Sequence, residues 1–150
     1  MSDAQPPEST TAVVATAYGG PDVLASVTVP VRPPGPGQAL VEVRAAGVNP
    51  IDWKLYGGAM GDDPAALPLR IGFEASGVVL AAGPGARGPA GPVAAGDEVI
   101  AFRVPGAYAG HVVADAAALV PKPASLGFEE AGGLMLAGVT AVHALTAVDL

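Results

Sequence analysis

A chain of 150 residues is one domain's worth of sequence and is long enough to bury a real core. Its formal charge of −7 argues against a nucleic-acid surface, and the complete absence of cysteine excludes disulfides, a thiolate nucleophile and any cysteine-ligated metal. Two histidines, His111 and His143, stand in separate segments without ligand-like spacing, so the expected metal complement is none.

Residues 1–10 are polar and Pro-containing, carry no basic region followed by an apolar run, and read as a disordered tail rather than a secretory signal. Residues 11–18 are rich in β-branched side chains and close at Gly19-Gly20-Pro21, the pattern of a strand ended by a turn. A returning strand is expected over 23–31, stopped by Pro30 and by the run Pro33-Pro34-Gly35-Pro36-Gly37. The clearest alternation follows over 38–48, with Leu40, Glu42 and Arg44 opposite Val41, Val43 and Ala45, so one face should be buried.

That strand breaks at Gly47. Asn49-Pro50 then starts a turn, and residues 51–56 form a short helical segment. Asn49, Asp52, Lys54 and Tyr56 fall within eight residues here, a dense polar cluster in a chain that is only 14% charged. By themselves Asn-Pro and Asp are ordinary turn residues that bond nearby backbone.

Residues 57–68 read as a loop, and its Asp62-Asp63 pair as solvated carboxylates. Residues 71–82 form a strand that carries Glu74 in apolar company. A carboxylate there must be paired, hydrogen-bonded or partly wet. The Gly/Pro-rich stretch 83–96 is no phosphate loop, because Pro84, Pro89 and Pro92 remove donors and no helix follows. Strands are expected over 98–103, 108–114 and 118–120. His111 is a packed or edge residue without a role. About seven strands with long irregular connections make a partly open β-barrel.

From 127 the period changes to helical, with Gly127 as N-cap and Glu130 three residues on. The run reads as a packed helix, or as two shorter helices broken near Gly138 with Thr140 at an element start. The 18 residues 131–148 carry no formal charge. A membrane span is nevertheless rejected, since glycines, threonines and His143 dilute the run and acidic residues flank it.

Several segments, taken together, resemble the zinc-free quinone oxidoreductase branch of the medium-chain dehydrogenase/reductase superfamily. They are Ala17-Tyr-Gly-Gly-Pro-Asp-Val-Leu24, Gly37-Gln-Ala-Leu-Val-Glu-Val-Arg44 with Ala45-Ala-Gly-Val-Asn-Pro-Ile-Asp52, and Leu67-Pro-Leu-Arg-Ile-Gly-Phe-Glu-Ala-Ser-Gly-Val-Val79. Gly96-Asp-Glu-Val99, Gly106-Ala-Tyr-Ala-Gly-His-Val-Val113 and Leu136-Ala-Gly-Val-Thr-Ala-Val-His-Ala-Leu145 follow in the family's order. The resemblance implies a mainly β fold, a GroES-like partly open barrel over 11–126, and a C-terminal helical segment over 127–150. It also implies a cytoplasmic enzyme that passes hydride from NADPH to a quinone or an enone.

In zinc-dependent members of the superfamily, Asn49 stands where a Cys ligand would be and Phe73 where a His ligand would be. Neither can supply a thiolate or imidazole. By resemblance, Asn49 and Thr140 would face the nicotinamide and its ribose, while Asp52 and Lys54 would hold the cofactor or shape the cleft wall. Tyr56 is a candidate hydrogen-bond donor to substrate oxygen. Lys54 departs from the Tyr often found at its place.

No strand, Gly-rich turn, helix and ribose-reading residue of a Rossmann domain occur in the 150 residues. The expectation is therefore the N-terminal catalytic half of a reductase, inactive alone, acting as a homodimer or completed by a Rossmann-domain chain, with no nucleic-acid or membrane partner. Two other readings stay open: a free-standing GroES-like binding module without activity, and the remnant of a broken gene.

Overall fold

The computed structural model describes residues 6–149. Ten strands and three α-helices follow one another in it, more and shorter strands than the seven expected. β1 (Ser9–Ala15) and β2 (Leu24–Pro30) pair antiparallel along their full length, from Ser9 opposite Pro30 to Ala15 opposite Leu24. Residues 1–5 of the expected tail lie outside the described residues. Ser9 and Thr10 belong to β1, because the alternation that buries Ala12 and Val14 extends back to a buried Thr10.

β3 (Gln38–Ala46), β5 (Glu74–Ala82), β8 (Glu98–Phe102), β9 (His111–Asp115) and β10 (Leu119–Pro121) form an antiparallel sheet in the order β10-β8-β5-β3-β9. β4 (Leu69–Arg70) joins β1 and β2 in a second sheet, and β6 (Arg87–Gly88) with β7 (Gly91–Pro92) makes a separate ribbon. Residues 108–110 bind the two larger sheets together. Val13 N–H donates to the Tyr108 carbonyl at 2.8 Å, Gly110 N–H to Thr11 at 2.9 Å, and Val43 N–H to Gly110 at 2.9 Å. The result is a partly open barrel.

Val41, Val79, Val99, Val112 and Leu119 fill its interior with the alanines 39, 101 and 114 between them. Burying this surface supplies the driving force of folding. Leu40 departs from the expected one-sided pattern. It points away from Val41 yet is 1% exposed, because the β1–β2 layer covers that side of β3 and a cleft lined by Val29, Leu40 and Val113 lies there. Tyr108 precedes β9 rather than lying within it, since its segment makes the cross-sheet bonds just described. His111 sits on edge strand β9 as expected, its Nδ1 3.1 Å from the Thr10 hydroxyl.

α1 (Pro50–Tyr56), α2 (Phe128–Gly132) and α3 (Leu134–Ala147) are the helices. Glu130 Oε2 accepts the Gly127 N–H at 2.8 Å, as the sequence indicates. α2 packs on β3 and β5, and the buried Ser76 hydroxyl donates to the Phe128 carbonyl. The helical break falls at Gly133, not near Gly138, so Thr140 lies inside α3 rather than at an element start. α3 is also not the packed helix expected. It has no buried residue, and Leu134, Val142 and Leu145 are exposed. Among the described residues no helix is long and apolar enough to cross a membrane.

Candidate active site

β3 ends where the chain must pass under α2. A Cβ on Gly47 would stand 2.5 Å from Glu74 Oε1 and 2.7 Å from the Gly132 carbonyl oxygen, so no larger residue fits. Immediately beyond, Asn49 adopts an extended conformation (φ −131°, ψ 158°) as N-cap of α1, with Pro50 at the first helical position. Asp52 Oδ2 accepts the Asn49 backbone N–H at 2.8 Å. In a reciprocal capping box the Asn49 side chain would bond back to the helix. Here it turns instead to Glu74, donating from Nδ2 to Oε1 at 2.7 Å. A carboxylate acceptor dictates that the amide nitrogen faces Glu74 and that Oδ1 faces away.

Glu74 is fully buried. Its second oxygen, Oε2, accepts the Leu136 N–H at 2.9 Å. Leu136 is the third residue of α3, whose early amides have no partner within the helix and whose N-cap, Gly133, has no side chain to offer. Glu74 therefore caps α3 from a neighbouring strand. The expectation that this carboxylate be hydrogen-bonded is met by two charge-assisted bonds.

Asp52 is 3% exposed, and Tyr108 donates its hydroxyl to the same Oδ2 at 2.9 Å. Burial first, then the Asp52 hydrogen bond and charge, push the Tyr108 phenol well above its ordinary value. The upward shift favours the protonated phenol, the form that donates. Asp52 Oδ1 is buried with no hydrogen-bond partner among the described residues.

Asn49, Asp52, Glu74, Tyr108 and Leu136 thus form one connected network. Lys54 does not join it: it is exposed at the end of α1, with its ammonium 5.8 Å from the Trp53 ring centroid. Tyr56 is half-buried, and its hydroxyl makes no hydrogen bond among the described residues. Thr140 is exposed and donates to the Leu136 carbonyl at 2.6 Å, one turn back in α3, which puts it next to the network but outside it. Asp63 accepts the Ala65 N–H at 2.9 Å, the role of a loop residue. No group of three or more His, Asp or Glu side chains that could hold a metal occurs among the described residues.

Residues 35–124 match the family model described as alcohol dehydrogenase GroES-like domain. The chain belongs to that family. This GroES-like chain is 35% identical to quinone oxidoreductase 1 of Escherichia coli over 85% of its own length and 38% of that protein's. It is also 35% identical to the trans-enoyl reductase tazE of Aspergillus terreus, over 88% of its length and 45% of the relative's. Among solved structures it matches a mycobacterial protein complexed with NADPH (TM-score 0.82, 36% identity, 92% of this chain and 41% of that one). It matches the E. coli quinone oxidoreductase complexed with NADPH equally well in shape (TM-score 0.82, 31% identity, 90% and 40%). The GroES-like chain spans about two-fifths of the length of the relatives it matches.

Proposed function

We propose that this chain is the N-terminal catalytic half of a metal-free, cytoplasmic, NADPH-dependent oxidoreductase acting on quinones or enones. The observation that carries the reading is Asn49. It is fixed at its backbone by Asp52 and at its side chain by Glu74, and its Oδ1 makes no hydrogen bond among the described residues. A rigid acceptor of this kind suits the amide and hydroxyl donors of a nicotinamide nucleoside.

Zinc does not fit. Asn49 spends its amide on Glu74, and Phe73 has no ligand atom. NADPH fits better: Asn49 Oδ1, the exposed Lys54 ammonium and the Tyr56 hydroxyl are unspent polar groups on or beside α1, and Thr140 is exposed on α3. When bound, that cofactor supplies the hydride. The chain's residues bind and orient. Asn49 accepts a hydrogen bond, Lys54 offers positive charge, and Tyr56 is free to donate to an acceptor oxygen. Asp52, which is buried, supports Asn49 from behind.

The test begins with the intact mass of the natural gene product, expected at about double the 14.6 kDa of this sequence. That product should oxidise NADPH with a simple quinone or enone at a rate a chelator does not change. Chelator-sensitive turnover would overturn the metal-free reading. Turnover by the 150-residue chain alone, matching that of the whole product, would overturn the claim that it is half of a site.

The exposed apolar side of α3, including Leu134, Val142 and Leu145, suits cover by further chain, by a complementing Rossmann-domain chain, or by a second copy in a homodimer. Alone, the 150-residue chain is expected to self-associate. Val142→Glu with Leu145→Glu should shift it to monomer in sedimentation, whereas an unchanged wild-type monomer would show that this face needs no cover.

A further inference from the structure

We infer that Tyr108 is a positioning residue of this site, acting through Asp52 to set where Asn49 presents its free oxygen. The inference rests on the function proposed above. Asp52 Oδ2 holds two donors at once, the Asn49 N–H at 2.8 Å and the Tyr108 hydroxyl at 2.9 Å, the second from 56 residues further along the chain than Asp52. The other carboxylate oxygen, Oδ1, has no hydrogen-bond partner among the described residues, so the hydrogen bonds that hold the carboxylate all go to Oδ2.

Tyr108 is itself closely held. Its N–H donates to the Ile71 carbonyl at 3.1 Å, and its ring lies against Gly72, where a Cβ would come within 2.5 Å of Cδ1. Gly72 has φ +91°, a conformation that side chains rarely adopt, so glycine is required twice over. The Gly72 carbonyl accepts from Gly106 and Ala107, and the Phe73 carbonyl from Val104, which fastens the two segments together.

The same short stretch, 71–74, therefore carries both supports of Asn49. Glu74 holds the side chain directly, and Tyr108, seated on Ile71 and Gly72, holds the backbone through Asp52. Tyr108 is not the proton source for the reduced product, because its hydroxyl proton is committed to a buried carboxylate. Raising its pKa keeps that proton in place.

Asn49 is the one asparagine in the sequence, so selective ¹⁵N-asparagine labelling of the 150-residue chain gives one backbone and one side-chain amide signal. Tyr108→Phe should move the Asn49 backbone amide. Tyr18→Phe, which removes a bond to the remote Asp63 carbonyl, should not. In the natural gene product Tyr108→Phe should lower kcat roughly tenfold, the scale of one bond to a charged group, with little change in quinone KM. Combined with Asn49→Ala it should cost no more than Asn49→Ala alone.

Additive losses in that pair, or an Asn49 amide that does not move in Tyr108→Phe, would overturn the inference. An absence of reductase turnover in the wild-type product would defeat the proposed function, while the amide measurement would still report whether Tyr108 reaches Asn49.

Discussion

Replacing Glu74 by alanine is expected to destabilise the chain by about 3–5 kcal/mol in chemical denaturation, because two buried donors lose their acceptor together. The donors are the Asn49 amide and the Leu136 N–H. Neither has a second acceptor among the described residues, and water would have to enter a site where Glu74 is fully buried. Glu74→Gln keeps the shape but turns an NH2 group toward one of two N–H donors, and should cost roughly 2 kcal/mol. The glutamine variant also separates stability from function. It should remain folded yet leave Asn49 or the start of α3 unsupported, so the natural gene product should lose turnover beyond what unfolding explains. Equal stability of wild type and Glu74→Ala would mean that the network is not what holds α3 to the barrel.

Gly47→Ala is the second large effect, expected at about 3 kcal/mol from overpacking. The added methyl would meet the Gly132 carbonyl oxygen at 2.7 Å and Glu74 Cγ at 2.8 Å, besides Oε1. A backbone oxygen cannot swing aside as a flexible side chain can. β3 and α2 would have to separate, and Glu74 would be driven from Asn49. Gly133→Ala is the matched control, since nothing lies within 4 Å of its Cβ position, and it should stay within about 1 kcal/mol of wild type. Thermal or urea unfolding of the two variants decides the matter. A mild Gly47→Ala would show that α2 is loosely seated.

Local features of the chain were legible because their causes are local. The proline and glycine run 33–37 ends β2 for lack of donors, Asn49-Pro50 opens α1, and Glu130 caps Gly127 from three residues away. Residue type alone likewise says that Asn49 and Phe73 offer neither a thiolate nor an imidazole. Where neighbours distant in sequence decide the outcome, the reading from periodicity failed. Leu40 is buried by a second layer that alternation along β3 cannot reveal, and α3 breaks from α2 at Gly133 and stays uncovered. Thr140 is consequently mid-helix.

The candidate site divides the same way. Asn49 and Glu74 stood out, one in a polar cluster that starts a turn and the other as a carboxylate among apolar neighbours, yet their mutual bond spans 25 residues and Glu74's second bond spans 62. By resemblance Asp52 would hold the cofactor or shape the cleft wall; the fold buries it and bonds it to Tyr108. Tyr108 lay in a segment that resembles the family and carried no signal of a role, since a tyrosine beside glycines reads equally well as packing. What the sequence determined by itself was the kinds of element, the chemistry available at each position and the family. Only the tertiary structure decided which polar groups meet. A hydrogen bond needs its partners within about 3 Å, and strand order, not residue type, brings 49, 52, 74, 108 and 136 that close.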